Sequence, residues 1–142
     1  MQPRLYWQIH HLAFVLEKHI DEQLKDQLGI GFAQYKVLAA IQQHMLANQA
    51  TIASLLDQTE AGISRQIKLL SRKGLVFVGD VMGNKRAREL SLTEIGEELT
   101  AQAESILEVS QAQVFGSLSY QEQRLFHELF DRMLAKAKKL DS

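Results

Sequence analysis

Hydrophobic residues at Leu5, Ile9, Leu12, Leu16, Ile20, Leu24 and Leu28 recur at steps of three and four. This spacing predicts an amphipathic helix from about Arg4 to Leu28 with a single apolar stripe. Gly29 stands where a helix C-cap glycine belongs. The stripe is longer than packing inside a small domain requires, so it predicts a surface that meets another subunit. A second helix is expected from about Phe32 to Leu46, with Tyr35, Leu38, Ile41 and Met45 on its buried face. Asn48 can cap a short third helix, roughly Gln49 to Leu56, whose Ile52, Ala53 and Leu56 point inward. After the turn Asp57-Gln58-Thr59, Thr59 caps a fourth helix from Glu60 to about Lys73. Its apolar positions Ile63, Ile67 and Leu70 form a narrow stripe, and its other faces carry Ser64, Arg65, Lys68, Ser71 and Arg72. A short helix, a tight turn and a second helix with a basic outer face make a helix-turn-helix pattern.

Beyond Gly74 the period changes. Leu75-Val76-Phe77-Val78 reads as a short strand, and Leu90 and Leu92 alternate with Glu89 and Ser91 as a second. Between them, Gly79 to Arg86 reads as a turning loop with basic residues on the tip and returning strand, a hairpin of the kind called a wing. Thr93 caps a helix from Glu94 to about Phe115, with Ile95, Leu99, Ala103, Ile106 and Val114 close to one face. Ser119-Tyr120-Gln121-Glu122 has capping-box spacing and opens a last helix with a wide apolar face of Leu125, Phe126, Leu129, Phe130, Met133, Leu134 and Ala137. The expected fold is mainly α with a small β-hairpin wing: a winged helix-turn-helix with N- and C-terminal dimerisation helices. Residues 1–142 form one domain on this reading. Segments 1–30 and 116–142 are the dimerisation helices, 32–92 the winged lobe and 93–115 the connecting helix.

Charge supports a polyanionic partner. The chain carries a net charge of −1, yet the segment Glu60 to Leu90 holds seven basic and three acidic residues, so it stands at +4 in an otherwise acidic protein. The absence of cysteine excludes disulfides, Cys-ligated zinc and thiol redox chemistry. No apolar run is long enough to span a bilayer and no signal-peptide pattern opens the chain, so a cytoplasmic location is expected. The five histidines lack the spacing of a zinc site, and no metal or cofactor is expected. No phosphate-binding glycine loop or nucleophile elbow appears, so the chain does not read as an enzyme.

The stretches Ala50-Thr51-Ile52-Ala53-Ser54-Leu55-Leu56, Ile63-Ser64-Arg65-Gln66-Ile67 and Leu70-Ser71-Arg72-Lys73-Gly74-Leu75-Val76 resemble the MarR family of bacterial regulators. So does Arg86-Ala87 followed by Leu90-Ser91-Leu92-Thr93-Glu94-Ile95-Gly96. The resemblance implies a homodimer held by intertwined terminal helices, a recognition helix in the major groove and a wing reaching toward the minor groove. It also implies a repressor released by a small lipophilic or phenolic effector. Three positions depart from the family pattern. Asn84 replaces an acid that often precedes the wing arginine, and Asp57 replaces a turn glycine. Gly62 replaces a polar residue of the recognition helix, at roughly 1 kcal/mol of helix propensity relative to alanine.

The candidate DNA-binding residues are Thr59, Ser64, Arg65, Lys68, Lys85, Arg86 and Arg88. Arg65 can donate two hydrogen bonds to guanine, whereas Lys68, Lys85 and Arg88 suit phosphates. Arg86 suits a narrow minor groove, whose potential attracts arginine. Thr59 reads first as a cap that turns helix N–H groups toward phosphate. Trp7, His11, Phe14 and Tyr35 could line an effector pocket, or serve as core and dimer-interface residues. Expected partners are double-stranded DNA and a second copy of the chain. An alternative is a winged-helix protein-interaction module that does not bind DNA specifically, which Gly62 and Asn84 would favour.

Overall fold

The computed structural model describes residues 4–81 and 84–141; the side chains of residues 80–87 lie outside that description. Among the described residues eight elements follow one another: α1 (Arg4–Leu28), α2 (Phe32–Gln43), α3 (Gln49–Leu55), α4 (Glu60–Arg72), β1 (Val76–Val81), β2 (Asn84–Leu92), α5 (Glu94–Phe115) and α6 (Tyr120–Lys138). They fall into two compact units, residues 1–107 and 108–142.

In the first unit the core gathers Val37, Leu38 and Ile41 of α2, Ile52 and Ala53 of α3, and Ile63, Ile67 and Leu70 of α4. Leu75, just before the hairpin, and Val76 and Leu90 within it complete the core. β1 and β2 pair antiparallel, with Val76 opposite Leu92 and Val78 opposite Leu90, so the alternation of the strands sends these four toward the core. Phe77, on the opposite face, is exposed. A second cluster joins Ile20 and Leu24 of α1 to Ala103 of α5, with Phe32, Tyr35, Ile106 and Leu107 packed around it.

Local chemistry sets the element ends. Gly29 and Gly74 take positive φ at the ends of α1 and α4, the left-handed conformation that glycine adopts without a Cβ clash. α2 has no capping side chain of its own at Gly31. The Asp21 carboxylate, reaching from α1, accepts from Phe32 N at 2.9 Å and pairs with Lys25 at 2.7 Å. The Lys25 hydrogen bond, then that of the Phe32 amide, holds the Asp21 pKa below the usual carboxylate range. A Cβ at position 31 would stand 2.8 Å from Asp21 Oδ1 and would push that capping carboxylate aside.

Three expectations are corrected. α2 stops at Gln43 rather than Leu46: His44 to Leu46 form a turn with Leu46 at φ 62°, and Met45 is 83% exposed instead of buried. Within the stretch from Gly79 to Arg86, the described residues 79–81 and 84–86 are strand, so both strands are longer than their alternation suggested. The buried face of α5 is Gly96, Thr100 and Ala103, and Ile95 is 63% exposed. Ala103 is buried and Leu99 and Ile106 pack against the cores as expected, so the departure is at the start of the helix, where Gly96 rather than Ile95 lies against the Leu75 backbone.

In the second unit, Ser119 and Glu122 form the expected capping box, with Glu122 N donating to Ser119 Oγ and Ser119 N to Glu122 Oε2. Phe126 stacks on Phe130, and Phe115 packs against Phe126 at a tilt. Gln123 Nε2 donates to the carbonyls of Phe115 and Leu118, closing the corner between α5 and α6. No residue of α6 is buried.

Candidate nucleic-acid interface

The helix-turn-helix is built by capping. Asn48 Oδ1 accepts from Thr51 N at 2.9 Å, opening α3. Its far end closes through Gln58 N donating to Ala53 O, and Asp57 sits at φ 53°. An aspartate thus occupies the left-handed turn position, a conformation its short polar side chain tolerates better than most. Thr59 Oγ1 then accepts from Gly62 N at 3.0 Å and opens α4. A Cβ at position 62 would meet that hydroxyl at 3.1 Å, a tight contact, so Gly62 leaves room for the cap.

α4 is oriented by its buried side. Ile63, Ile67 and Leu70 are buried in the core. At about 100° of rotation per residue, the ridge directly opposite is Ala61, Arg65, Lys68 and Arg72, all exposed. Among the described residues no acid pairs with Arg65, Lys68 or Arg72, so their charges face outward uncompensated. Ser64 lies beside this ridge, partly buried. Arg72 belongs to the ridge as well: it was expected on the outer faces of the helix but not among the DNA-contacting residues, and its spacing of seven residues from Arg65, about two helical turns, places it in line.

Lys73 separates from this group. Its Nζ donates to Gly29 O at 2.9 Å, across 44 residues of sequence, and ties the end of α4 to the end of α1. Of the wing residues, Arg88 lies on β2 opposite Asp80, and its side chain is exposed and engaged in an interaction. Lys85, Arg86 and their neighbour Asn84 lie on the backbone of β2, but their side chains are outside the described residues.

The base of the wing is fastened to α5 by one group of atoms. Thr93 N donates to Leu75 O at 3.0 Å, and Thr93 Oγ1 donates to Gly74 O at 2.6 Å. The same hydroxyl accepts from Gly96 N at 3.0 Å. A Cβ on Gly96 would stand 2.0 Å from Leu75 O, so only glycine fits. Buried Thr100 Oγ1 donates to Gly96 O at 2.7 Å. The two most distinctive motifs, Lys73-Gly74-Leu75-Val76 and Leu90-Ser91-Leu92-Thr93 with Gly96, are therefore two halves of a single clasp. On the other side, Leu90 N donates to Ala47 O at 2.9 Å and pins β2 to the segment before α3.

The four candidate pocket residues do not share one wall within the protomer. Trp7, His11 and Phe14 lie exposed on the first half of α1, with Trp7 68% exposed. Tyr35 packs partly buried near Ile20 and Leu24, roughly 20 Å further along α1 than Trp7. Burial there, aided by Glu104, pushes its phenol pKa up. An open concavity of about 350 Å³ lies elsewhere, lined by Glu108, Gln111, Ala112, Phe115, Gly116 and Gln123.

A capped helix pair, a basic ridge on the second helix and a hairpin clasped behind it define a winged helix-turn-helix protein. No protein-family model matches the chain. The transcriptional regulator HosA of Escherichia coli is 26% identical over 125 residues, covering 88% of this chain and 93% of HosA. A MarR transcriptional regulator from Methanosarcina mazei Go1 superposes with a TM-score of 0.87 at 21% identity, over 98% of this chain and 99% of that one. The S. aureus MepR–DNA complex gives 0.82 at 22% identity, over 92% and 96%. The chain has the fold of the MarR regulators, as its motifs indicated.

Proposed function

We propose that the chain is a DNA-binding transcriptional regulator that acts as a homodimer, with α4 in the major groove and the β1–β2 wing toward the minor groove. The observation that carries this reading is the ridge of Ala61, Arg65, Lys68 and Arg72, cationic along most of its length and unpaired, diametrically opposite the stripe that anchors α4 in the core. It supports Arg65 at base edges, with Ser64 beside it, and Lys68 at phosphates; on the wing, Lys85 and Arg88 are the further phosphate contacts of the proposal. Arg86 takes the minor-groove role, and Thr59 acts through its cap. The relatives are named as regulators, and one solved neighbour is a complex with DNA. That favours regulation over a protein-interaction module and over catalysis.

Dimerisation is supported by apolar surface that the protomer leaves uncovered. The first half of α1 exposes Leu5, Ile9, Leu12, Phe14 and Val15, and α6 exposes Leu125, Leu129, Phe130, Met133 and Leu134. Runs of this size mark an interaction surface, and a second copy supplies the matching one. No helix among the described residues is long and apolar enough to cross a membrane, and we place the regulator in the cytoplasm. Repression relieved by a small lipophilic or phenolic effector near α1 and Tyr35 completes the proposal.

Selection of duplexes from a random pool, followed by titration at several salt concentrations, tests it. The selected duplex should bind about 10³-fold or more tightly than random duplex. Arg65→Ala should reduce that ratio by about 5- to 150-fold. Equal binding of selected and random duplexes at every salt concentration would refute it.

A further inference from the structure

We infer that Glu60 is a base-reading residue of this interface, accepting a hydrogen bond from the N4 amine of a cytosine; the inference rests on the function proposed above. Glu60 is the first residue of α4, exposed, and among the described residues no cation pairs with it. Side chains on a helix tilt toward its N-terminus, so Glu60 leads α4. Recognition helices bring their N-terminal residues to base edges. A carboxylate there stands in the field of the phosphates, which disfavours it unless it meets a donor.

The major-groove edges then decide which base it meets. Guanine presents N7 and O6, and thymine presents O4 and a methyl group, so both offer a carboxylate only acceptors or carbon. Adenine offers an amine beside an N7 acceptor, which repels the second carboxylate oxygen. Cytosine alone offers an amine with no neighbouring acceptor on its own edge. Glu60 therefore selects for C·G at one position of each half-site and against binding elsewhere. Arg65, one turn and a half further along α4, reads a different position.

Helix-end electrostatics offers Glu60 another role, because an acid in the first turn is favourable to the helix dipole. That role alters stability and leaves base preference untouched, so the two are separable. Selection from a random duplex pool should be run with the full-length wild type, Glu60→Gln, Glu60→Ala and Arg65→Ala, with thermal unfolding as the control for folding. The wild type should select a cytosine at one fixed position per half-site. Both Glu60 variants should lose preference for it by about tenfold, the typical scale of one mismatch. Their binding to random duplex should rise. If the wild type selects a motif that Arg65→Ala weakens but both Glu60 variants select unchanged, Glu60 does not read DNA and the parent proposal survives. If the wild type selects no motif, both fall.

Discussion

Replacing Gly96 with alanine tests the clasp at the base of the wing. The new methyl would be built 2.0 Å from Leu75 O, 3.0 Å from Leu75 C and 3.3 Å from Leu75 Cα. These are backbone atoms, and an ordinary carbon contact lies near ~3.5 Å, so the start of α5 must retreat by about 1.5 Å. The retreat stretches three hydrogen bonds: Thr93 N to Leu75 O, Thr93 Oγ1 to Gly74 O and Gly96 N to Thr93 Oγ1. Overpacking costs about 1–3 kcal/mol, and each weakened hydrogen bond adds up to about 1 kcal/mol. The gain in helix propensity returns about 1 kcal/mol. A net loss of about 2–4 kcal/mol follows, which lowers Tm by about 10 °C in a chain of this size. Urea and thermal unfolding followed by circular dichroism, at one protein concentration, measure it. Gly62→Ala is the control: its methyl meets only the Thr59 hydroxyl at 3.1 Å, and its effect should stay within about 1 kcal/mol. Gly96→Ala as stable as the wild type, or destabilised no more than Gly62→Ala, would refute the reasoning.

Lys68 and Lys73 should behave oppositely in DNA titrations: Lys68→Ala lowers the slope of log affinity against log salt by about 1. Lys73→Ala leaves that slope unchanged and lowers stability by up to about 1.5 kcal/mol, because its ammonium holds Gly29 O. Asp21 has a depressed pKa, so its contribution is full above the ordinary carboxylate pKa and disappears as pH falls through its lowered value. Thermal unfolding of wild type and Asp21→Asn from about pH 7 to about pH 3 should show a gap that is widest at neutral pH and narrows under acid; a gap independent of pH would contradict the capping role.

What could be read from the sequence was what is decided within a few residues. The caps at Asn48, Thr59, Thr93 and Ser119 each depend on a side chain three positions from the amide it receives, and all four are present. The stripe Ile63, Ile67, Leu70 oriented α4 correctly, and with it the ridge of Arg65 and Lys68. What periodicity could not supply was a partner distant in sequence. Ile95 is the more hydrophobic neighbour of Gly96, yet the carbonyl of Leu75, which no local pattern reports, draws the glycine inward. Met45 continued the spacing of α2, but the chain turns at His44, and Ala47 O beyond that turn is held by Leu90 N. Lys73 looked like one more member of a basic island until Gly29, far away in sequence, claimed it. The same limit applies to the four residues read as candidate pocket lining: Trp7 and Tyr35 lie on successive helices, and nothing in their spacing says how far apart the fold sets them.

The clasp also has a consequence for how this protein can change. Both ends of the hairpin are fixed by atoms outside it, at Gly74 and Leu75 on one side and at Thr93 and Ala47 on the other. The tip can therefore gain or lose residues, or exchange its charges, without disturbing the seat of α4. An insertion near residues 82–83 alters reach while the root stays in register. The wing is in that sense an interchangeable attachment on a fixed mount, open to redesign independently of the helix beside it.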